Sequence, residues 1–136
     1  MLPDLFRTTD LLAKGLDTAQ LRQETIANNI ANEDTPGFKS SHVEFEDYMK
    51  AALDDDGSAF DAKVTREKHI KFSGGDASEV RPSVVLDNDT TMRMDENNVD
   101  IDQQMTDMAK NTIWYNTLVT QMNGELERLR LAIDGR

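Results

Sequence analysis

The groups available for chemistry in this 136-residue chain are two histidines, twenty-six carboxylates and no cysteine. His42 and His69 lie far apart, and neither has a second ligand at the short spacing of a metal site, so both read as surface or loop residues. A calcium loop opened at Asp54 would put Ala59 where the sharp turn needs glycine and Thr65 where a bidentate glutamate is needed. One opened at Asp87 would put Met92 and Asn98 in those places, so both acidic runs read as solvated loops. No Ser-His-Asp order, glycine-rich phosphate loop or HExxH pair is present. Carboxylates are too frequent for any one pair to mark acid–base catalysis. The expectation is a protein that is not an enzyme and carries no cofactor or metal.

Composition narrows the alternatives. Hydrophobic residues make up 38% and aromatic residues 6%, which is lean for a self-sufficient core in a chain of one-domain length. The net charge of −11 argues against nucleic acid and anionic lipid as partners. That charge is concentrated. Residues 40–102 hold sixteen acids against seven bases, whereas the two ends are nearly neutral. No apolar run approaches the roughly 18 residues of a membrane span, so direct membrane insertion is not expected. The start "MLPDLFRTTDLL" lacks the basic and apolar regions of an ordinary signal peptide.

Two helices must position whatever the chain does. Steps of four and three from Leu5 give Leu5, Thr9, Leu12, Leu16, Ala19, Gln23, Ile26 and Ile30, a coiled-coil spacing. Pro3 suits a first helical turn, and Thr35 before Pro36 is pushed out of helical dihedrals, which predicts a helix over residues 4–32. Gly15 is a weak point inside it. The same steps from Ile101 give Ile101, Met105, Met108, Thr112, Tyr115, Val119, Met122, Leu126, Leu129 and Ile133, broken only by Thr112. Asp100 with Gln103 reads as a capping box and Gly135 as a stop, which predicts a second helix over residues 101–133. Trp114 and Leu118 widen its apolar side, as expected of a helix with more than one neighbour.

Between the helices the pattern decays. "DDDGSAFD" at 54–61 and "SGGDASE" at 73–79 are loop-like, "VEFEDYM" at 43–49 suits helix or strand, and "SVVLDNDTTMRM" at 83–94 predicts a hairpin about Asp-Asn-Asp. The fold expected is mainly α: two long terminal amphipathic helices packed as a coiled-coil-like pair, with a small irregular or β insert between them. Its divisions are 1–39, an acidic and outward-facing insert 40–98, and 99–136. One antiparallel pair leaves much of each helix wet, so further chains are the expected neighbours.

The stretch "ETIANNIANEDTPGFK" at 24–39 bears on how such chains would meet. Ile26/Ile30, Ala27/Ala31 and Asn28/Asn32 form three neighbouring ridges. Alanines permit close helix approach and buried asparagines fix register, so Asn28 and Asn32 are register candidates; a polar solvent face accounts for the spacing equally well. Asn29 and Asn32 also suit the fraying end of a helix. From the residues alone, a soluble coiled-coil adaptor or chaperone stays open beside an assembly subunit.

"IANNIANEDTPGFK" resembles the N-terminal signature of the flagellar rod and hook axial proteins, A-N-N-x-A-N-x-x-T-P-G-[FY], whose signature turn falls here on Thr35, Pro36, Gly37 and Phe38. "NNVDIDQQMTDMAKNTIWYNTLVTQMN" is similar to the family's C-terminal helix. The resemblance covers residues 1–50 and 95–136 well and the middle poorly. The short length, the "DIDQQM" helix start and the ending "LRLAIDGR" point to one proximal-rod member rather than its sister, whose helix start is glutamate-rich. The resemblance implies a structural subunit that stacks helically, with itself and other rod proteins, into a hollow torque-transmitting shaft across the periplasm. It implies the motor (MS) ring and its rod adaptor, and the flagellar type III export apparatus, as partners. Export would then proceed without a cleaved signal. Phe45-Glu46-Asp47-Tyr48-Met49 matches the short Phe-x-x-x-apolar export-gate pattern, through Phe45 and Met49. The implied assembly interface comprises Leu12, Leu16, Ile26, Ala27, Asn28, Ile30, Ala31 and Asn32 on the first helix. On the second it comprises Ile101, Met105, Met108, Tyr115, Val119, Met122, Leu126, Leu129 and Ile133.

Overall fold

The computed structural model describes residues 7–47, 49–50, 80–88 and 90–135. Helix α1 spans Arg7–Ala31, strand β1 Ser41–Glu44, strand β2 Ser83–Leu86 and helix α2 Ile101–Asp134. The two long helices and the small sheet between them are the architecture expected from the pattern. The loop readings at 54–61 and 73–79, and His69, lie outside the described residues.

Each helix end has a local cause. Asn32 N–H donates back to the carbonyls of Asn28 and Asn29, and α1 then gives way to a turn over residues 35–38. That turn is closed by Phe38 N–H on the Thr35 carbonyl at 3.3 Å, with Gly37 at φ 72°. Proline at the second position and a left-handed glycine at the third are what a type II turn requires. At the start of α2, Asp100 Oδ1 accepts from Asp102 N–H at 3.0 Å and from Gln103 N–H at 3.2 Å. The capping box does not form. Gln103 donates its amide instead to Asp107 at 2.9 Å, a charged acceptor one turn along the same face. Gly135 ends α2 in the left-handed conformation, its N–H on the Leu131 carbonyl at 3.1 Å.

The hairpin expected over residues 83–94 is not found. β2 pairs antiparallel with β1 instead, Ser41 opposite Leu86 and Glu44 opposite Ser83. The local alternative loses because residues 87–98 are drawn into a turn. Asp87 accepts from Thr90 N–H and Oγ1, and Asn98 donates to the Asp87 carbonyl and to Thr90 Oγ1. The stretch 43–49 takes both of its readings, strand to Glu44 and then a helical turn in which Met49 N–H donates to the Phe45 carbonyl.

α1 and α2 run antiparallel. Asn29 meets Gln104, Ala19 and Gln23 meet Asn111, and Gly15 meets Leu118. The first and last of these contacts are fourteen residues apart on both helices, so the register holds along the pair. Continuing it puts Leu126 level with Arg7, and α2 runs on past that point. Among the described residues the buried apolar side chains are few: Ala19, Ile26, Val43, Phe45, Met49 and Val99. The core is thus a wedge where α1, the β1 strand and the start of α2 converge.

Gly15 has a packing role. A Cβ there would stand 3.2 Å from Leu118 Cδ1, closer than carbon atoms ordinarily approach. Gly15→Val is expected to destabilise the subunit by about 1–3 kcal/mol through overpacking. In urea titrations, Leu118→Ala should recover part of that loss in the double variant; additive losses would mean the contact does not limit helix approach.

Candidate assembly site

Two adjacent asparagine pairs, 28–29 and 97–98, flank the inner ends of the two helices, and three of these four amides tie the ends together. Asn29 is completely buried at the end of α1. Because Asp87 N–H pairs with the Ser40 carbonyl, the backbone groups of Ser41 point away from β2. Asn29 takes both of them: its Oδ1 accepts from Ser41 N–H at 3.0 Å and its Nδ2 donates to the Ser41 carbonyl at 2.8 Å. The same Nδ2 donates to Gln104 Oε1 on α2.

Asn97, also completely buried, does more. Its Nδ2 lies within 3.0 Å of the carbonyls of Asn32, Glu33 and Thr35, which are left without helical partners where α1 stops. Its Oδ1 accepts from Val99 N–H at 2.7 Å, and its own carbonyl accepts from Met92 and Arg93. Asn98 completes the tie, its Oδ1 accepting from Ser40 N–H at 2.6 Å. Gly37 N–H reaches the Asp95 carbonyl at 2.8 Å. The Thr-Pro-Gly turn is thereby fastened to the segment that launches α2.

The residues singled out from spacing fall into three groups. Asn28 and Asn32 are engaged within their own helix end: Asn32 Nδ2 donates to the Asn28 carbonyl and its Oδ1 accepts from Thr35 Oγ1. Within the subunit, the buried amide that pins register is Asn29, next to Asn28 and three positions before Asn32. Ala27, Asn28 and Ala31 are exposed, Ile30 and Asn32 half-buried and Ile26 buried. Leu12 and Leu16 are half-buried. Thr35, Pro36 and Gly37 lie on the surface, with Phe38 half-covered. Phe45 and Met49 are core side chains, so packing accounts for both in the folded subunit.

On α2 the stripe divides. Ile101, Met108, Val119, Met122 and Leu129 are half-buried, while Met105, Tyr115, Leu126 and Ile133 are exposed. Spacing missed two further exposed residues, Ile113 at 68% and Leu131 at 51%. It also missed Gln104 and Asn111, which face α1 across the pair in line with Leu118, the residue that spacing had placed on a widened apolar side. The signal available for them was the heptad Gln104-Asn111-Leu118 one position off the apolar stripe, which reads as surface because two of its members are amides.

Beside the clamp, a cavity of about 400 Å³ opens between α1, β1 and α2. Arg22 crosses it, paired to both carboxylate oxygens of Glu46 at 2.7 and 2.8 Å and lying 5.2 Å over the Trp114 ring. Lys110 holds Asp107 at 3.0 Å on the opposite rim. Burial pushes the Asp107 carboxyl up. Hydrogen bonds from Gln103 and Lys110 and the charges of Lys110 and Arg22 outweigh that effect and hold it below its ordinary value of 3.8. His42 stands 3.5 Å from Glu44 at the exposed sheet edge. Among the described residues no group of three His, Cys, Asp or Glu side chains is placed to hold a metal ion, and no helix is long and apolar enough to cross a membrane.

Against this geometry stand the comparisons with known proteins. Residues 11–39, from the body of α1 through the turn, match the family described as flagella basal body rod protein. The flagellar basal body rod protein FlgB of Bacillus subtilis (strain 168) is 38% identical over 128 residues, covering 94% of each chain. That of Borreliella burgdorferi is 38% identical over 117 residues, 85% of this chain and 87% of the relative. The FlgB of Aquifex aeolicus is 27% identical over 133 residues, 98% of each.

Two outcomes test the site. Asn97→Asp keeps the shape but removes both amide donors and turns a carboxylate toward three carbonyls. It should destabilise by more than the ~1–3 kcal/mol of one unsatisfied buried group, and by more than Asn32→Ala, in urea titrations of the two variants. For Asp107 the sign follows from its lowered pKa. Its contribution is present above pH 3.8 and disappears as the pH falls through the lower folded value. Thermal melts between pH 2 and 5 should therefore show a shallower acid loss in Asp107→Asn than in the parent chain.

Proposed function

The chain belongs to the flagellar basal body rod protein family, and we propose that it is a structural subunit of the proximal rod, one of many copies stacked helically into the hollow shaft that carries torque from motor ring to hook. The observation that carries this reading is how many apolar side chains of α2 stand uncovered, on more than one side of the helix. Met105, Ile113, Tyr115, Leu126, Leu131 and Ile133 are all exposed, Ile133 at 84%. A single subunit gains nothing from a row of apolar side chains in water; each gains about 1–2 kcal/mol when a neighbour covers it. Leu131 and Ile133 carry the exposed apolar surface into the last turns of α2. Copies of this chain and other rod proteins are the neighbours the reading calls for. The motor (MS) ring with its rod adaptor would receive the base of the stack.

Rod location requires passage through the flagellar type III export apparatus. Phe45 and Met49 would be legible to an export gate only in the unfolded chain, since both are core residues after folding. The shared FlgB name of the relatives favours this member over the sister proximal-rod protein FlgC. Its role is mechanical rather than catalytic. A soluble coiled-coil adaptor would also carry two heptad helices, but loss of an adaptor reduces assembly, whereas loss of an axle subunit abolishes it.

Leu126→Glu combined with Ile133→Glu separates the readings. Both positions are exposed in the subunit, so monomer stability should move by under about 0.5 kcal/mol. The variant should be exported normally while cells fail to swim. Ala31→Leu, on the exposed ridge at the end of α1, should act the same way by forcing neighbouring helices apart. Normal swimming in both would remove the stripe and the ridge from the assembly interface.

A further inference from the structure

Among the described residues, one buried side-chain polar atom lacks a hydrogen bond: Oδ1 of Asn111, in the middle of the α1–α2 seam. Asn111 is 4% exposed, and its Nδ2 donates to the Ala19 carbonyl at 2.9 Å and to Gln23 Oε1 at 3.1 Å. A half-satisfied amide at a helix–helix seam is less stabilising than a well-packed apolar side chain of similar size. Polar groups recur along the seam, between the buried Ala19 and Ile26 and the Gly15–Leu118 contact. Gln104 bonds to Asn29, Arg22 covers Trp114, and Thr18 and Thr25 are buried with their hydroxyls turned back onto the carbonyls of Lys14 and Leu21.

Apart from Leu118, which packs on Gly15, much of the apolar stripe of α2 lies to the side of this seam. Met105 and Tyr115, one residue along from Gln104 and Trp114, are exposed. A turn of α2 about its own axis by less than the ~100° between successive residues would bring the stripe of Met105, Met108, Tyr115 and Val119 onto α1. Burial of apolar surface favours that turn. Its obstacle is Asn111, because turning would strip both of its hydrogen bonds and leave a whole amide unpaired in an apolar seam.

We propose that Asn111 is a positioning residue that locks the rotation of α2, keeping its apolar stripe outward for neighbouring copies at the expense of the lone subunit's own stability. What the stripe then meets rests on the rod reading; the rotational lock itself is a property of the isolated chain.

Methionine oxidation in the monomer reads that rotation directly. Met105 is 57% exposed, and Met94, fully exposed in the loop before α2, serves as an internal reference. Full-length protein is treated with peroxide and the oxidation of each methionine is followed by peptide mass spectrometry. In Asn111→Leu, Met105 should slow by about threefold or more relative to Met94, because exposure governs its access to oxidant. Asn111→Ala, which adds no bulk, should move the ratio in the same direction. A Met105-to-Met94 ratio unchanged from the parent chain in both variants overturns the proposal. The measurement needs no assembled rod, so its outcome is independent of the swimming assays above.

Discussion

One side-chain amide closes the subunit. Asn97 Nδ2 faces the three carbonyls that α1 leaves exposed where it stops, while Asn97 Oδ1 takes the Val99 N–H just ahead of α2. The chain that leaves a helix end carries carbonyls with no helical partner, and here an amide more than sixty positions away gathers three of them, at Asn32, Glu33 and Thr35. Nearly everything else follows from that closure. It holds the Thr-Pro-Gly turn against the segment that starts α2, and so brings the inner ends of the two antiparallel helices together. It also fixes the loop from which Asn98 reaches Ser40 and so anchors the sheet. Asparagine suits the role because one planar group offers donors and an acceptor on opposite sides, with no charge to desolvate.

The same economy runs through the helix pair. Its inner face carries Gly15, Thr18, Asn29, Gln104 and Asn111, side chains that hydrogen-bond or permit close approach, beside a few buried apolar ones such as Ala19 and Ile26, whereas many apolar residues of α2 lie at the edge or in water. Directional bonds specify one arrangement but add little net stability, each worth about 1 kcal/mol. Burial adds stability without direction. In this subunit the first sets the internal geometry, and much of the second is left for contacts between molecules.

The acidic middle and the ends play different parts. The strand at 41–44 and the turn at 35–38 are tied to the helices by amides, so the beginning of the insert belongs structurally to the assembly ends. The ion pairs on this surface, such as Arg93 with Asp95 at 3.4 Å, each add at most about 1 kcal/mol and adjust rather than determine the fold.

The sequence by itself determined what local physics controls. Heptad spacing, Asp100, Gly135 and Thr-Pro-Gly located both ends of α2 and the end of α1 to within a residue, because periodicity, caps and turn dihedrals are short-range constraints; the expected start of α1 at residue 4 lies outside the described residues. The lean core and the long apolar stripes already called for further chains. Three matters were decided only by the tertiary structure. β2 found its partner at Ser41–Glu44 rather than next door, since a strand pairs with whichever edge the rest of the chain presents. Register fell to Asn29 rather than to Asn28 or Asn32, because a side chain's value as a pin depends on which backbone groups lie opposite it. α2 also met α1 on a face one position away from its own apolar stripe. Periodicity shows that a stripe will be buried, but not whether by this chain or by another, and three amides across the seam settled that for the subunit.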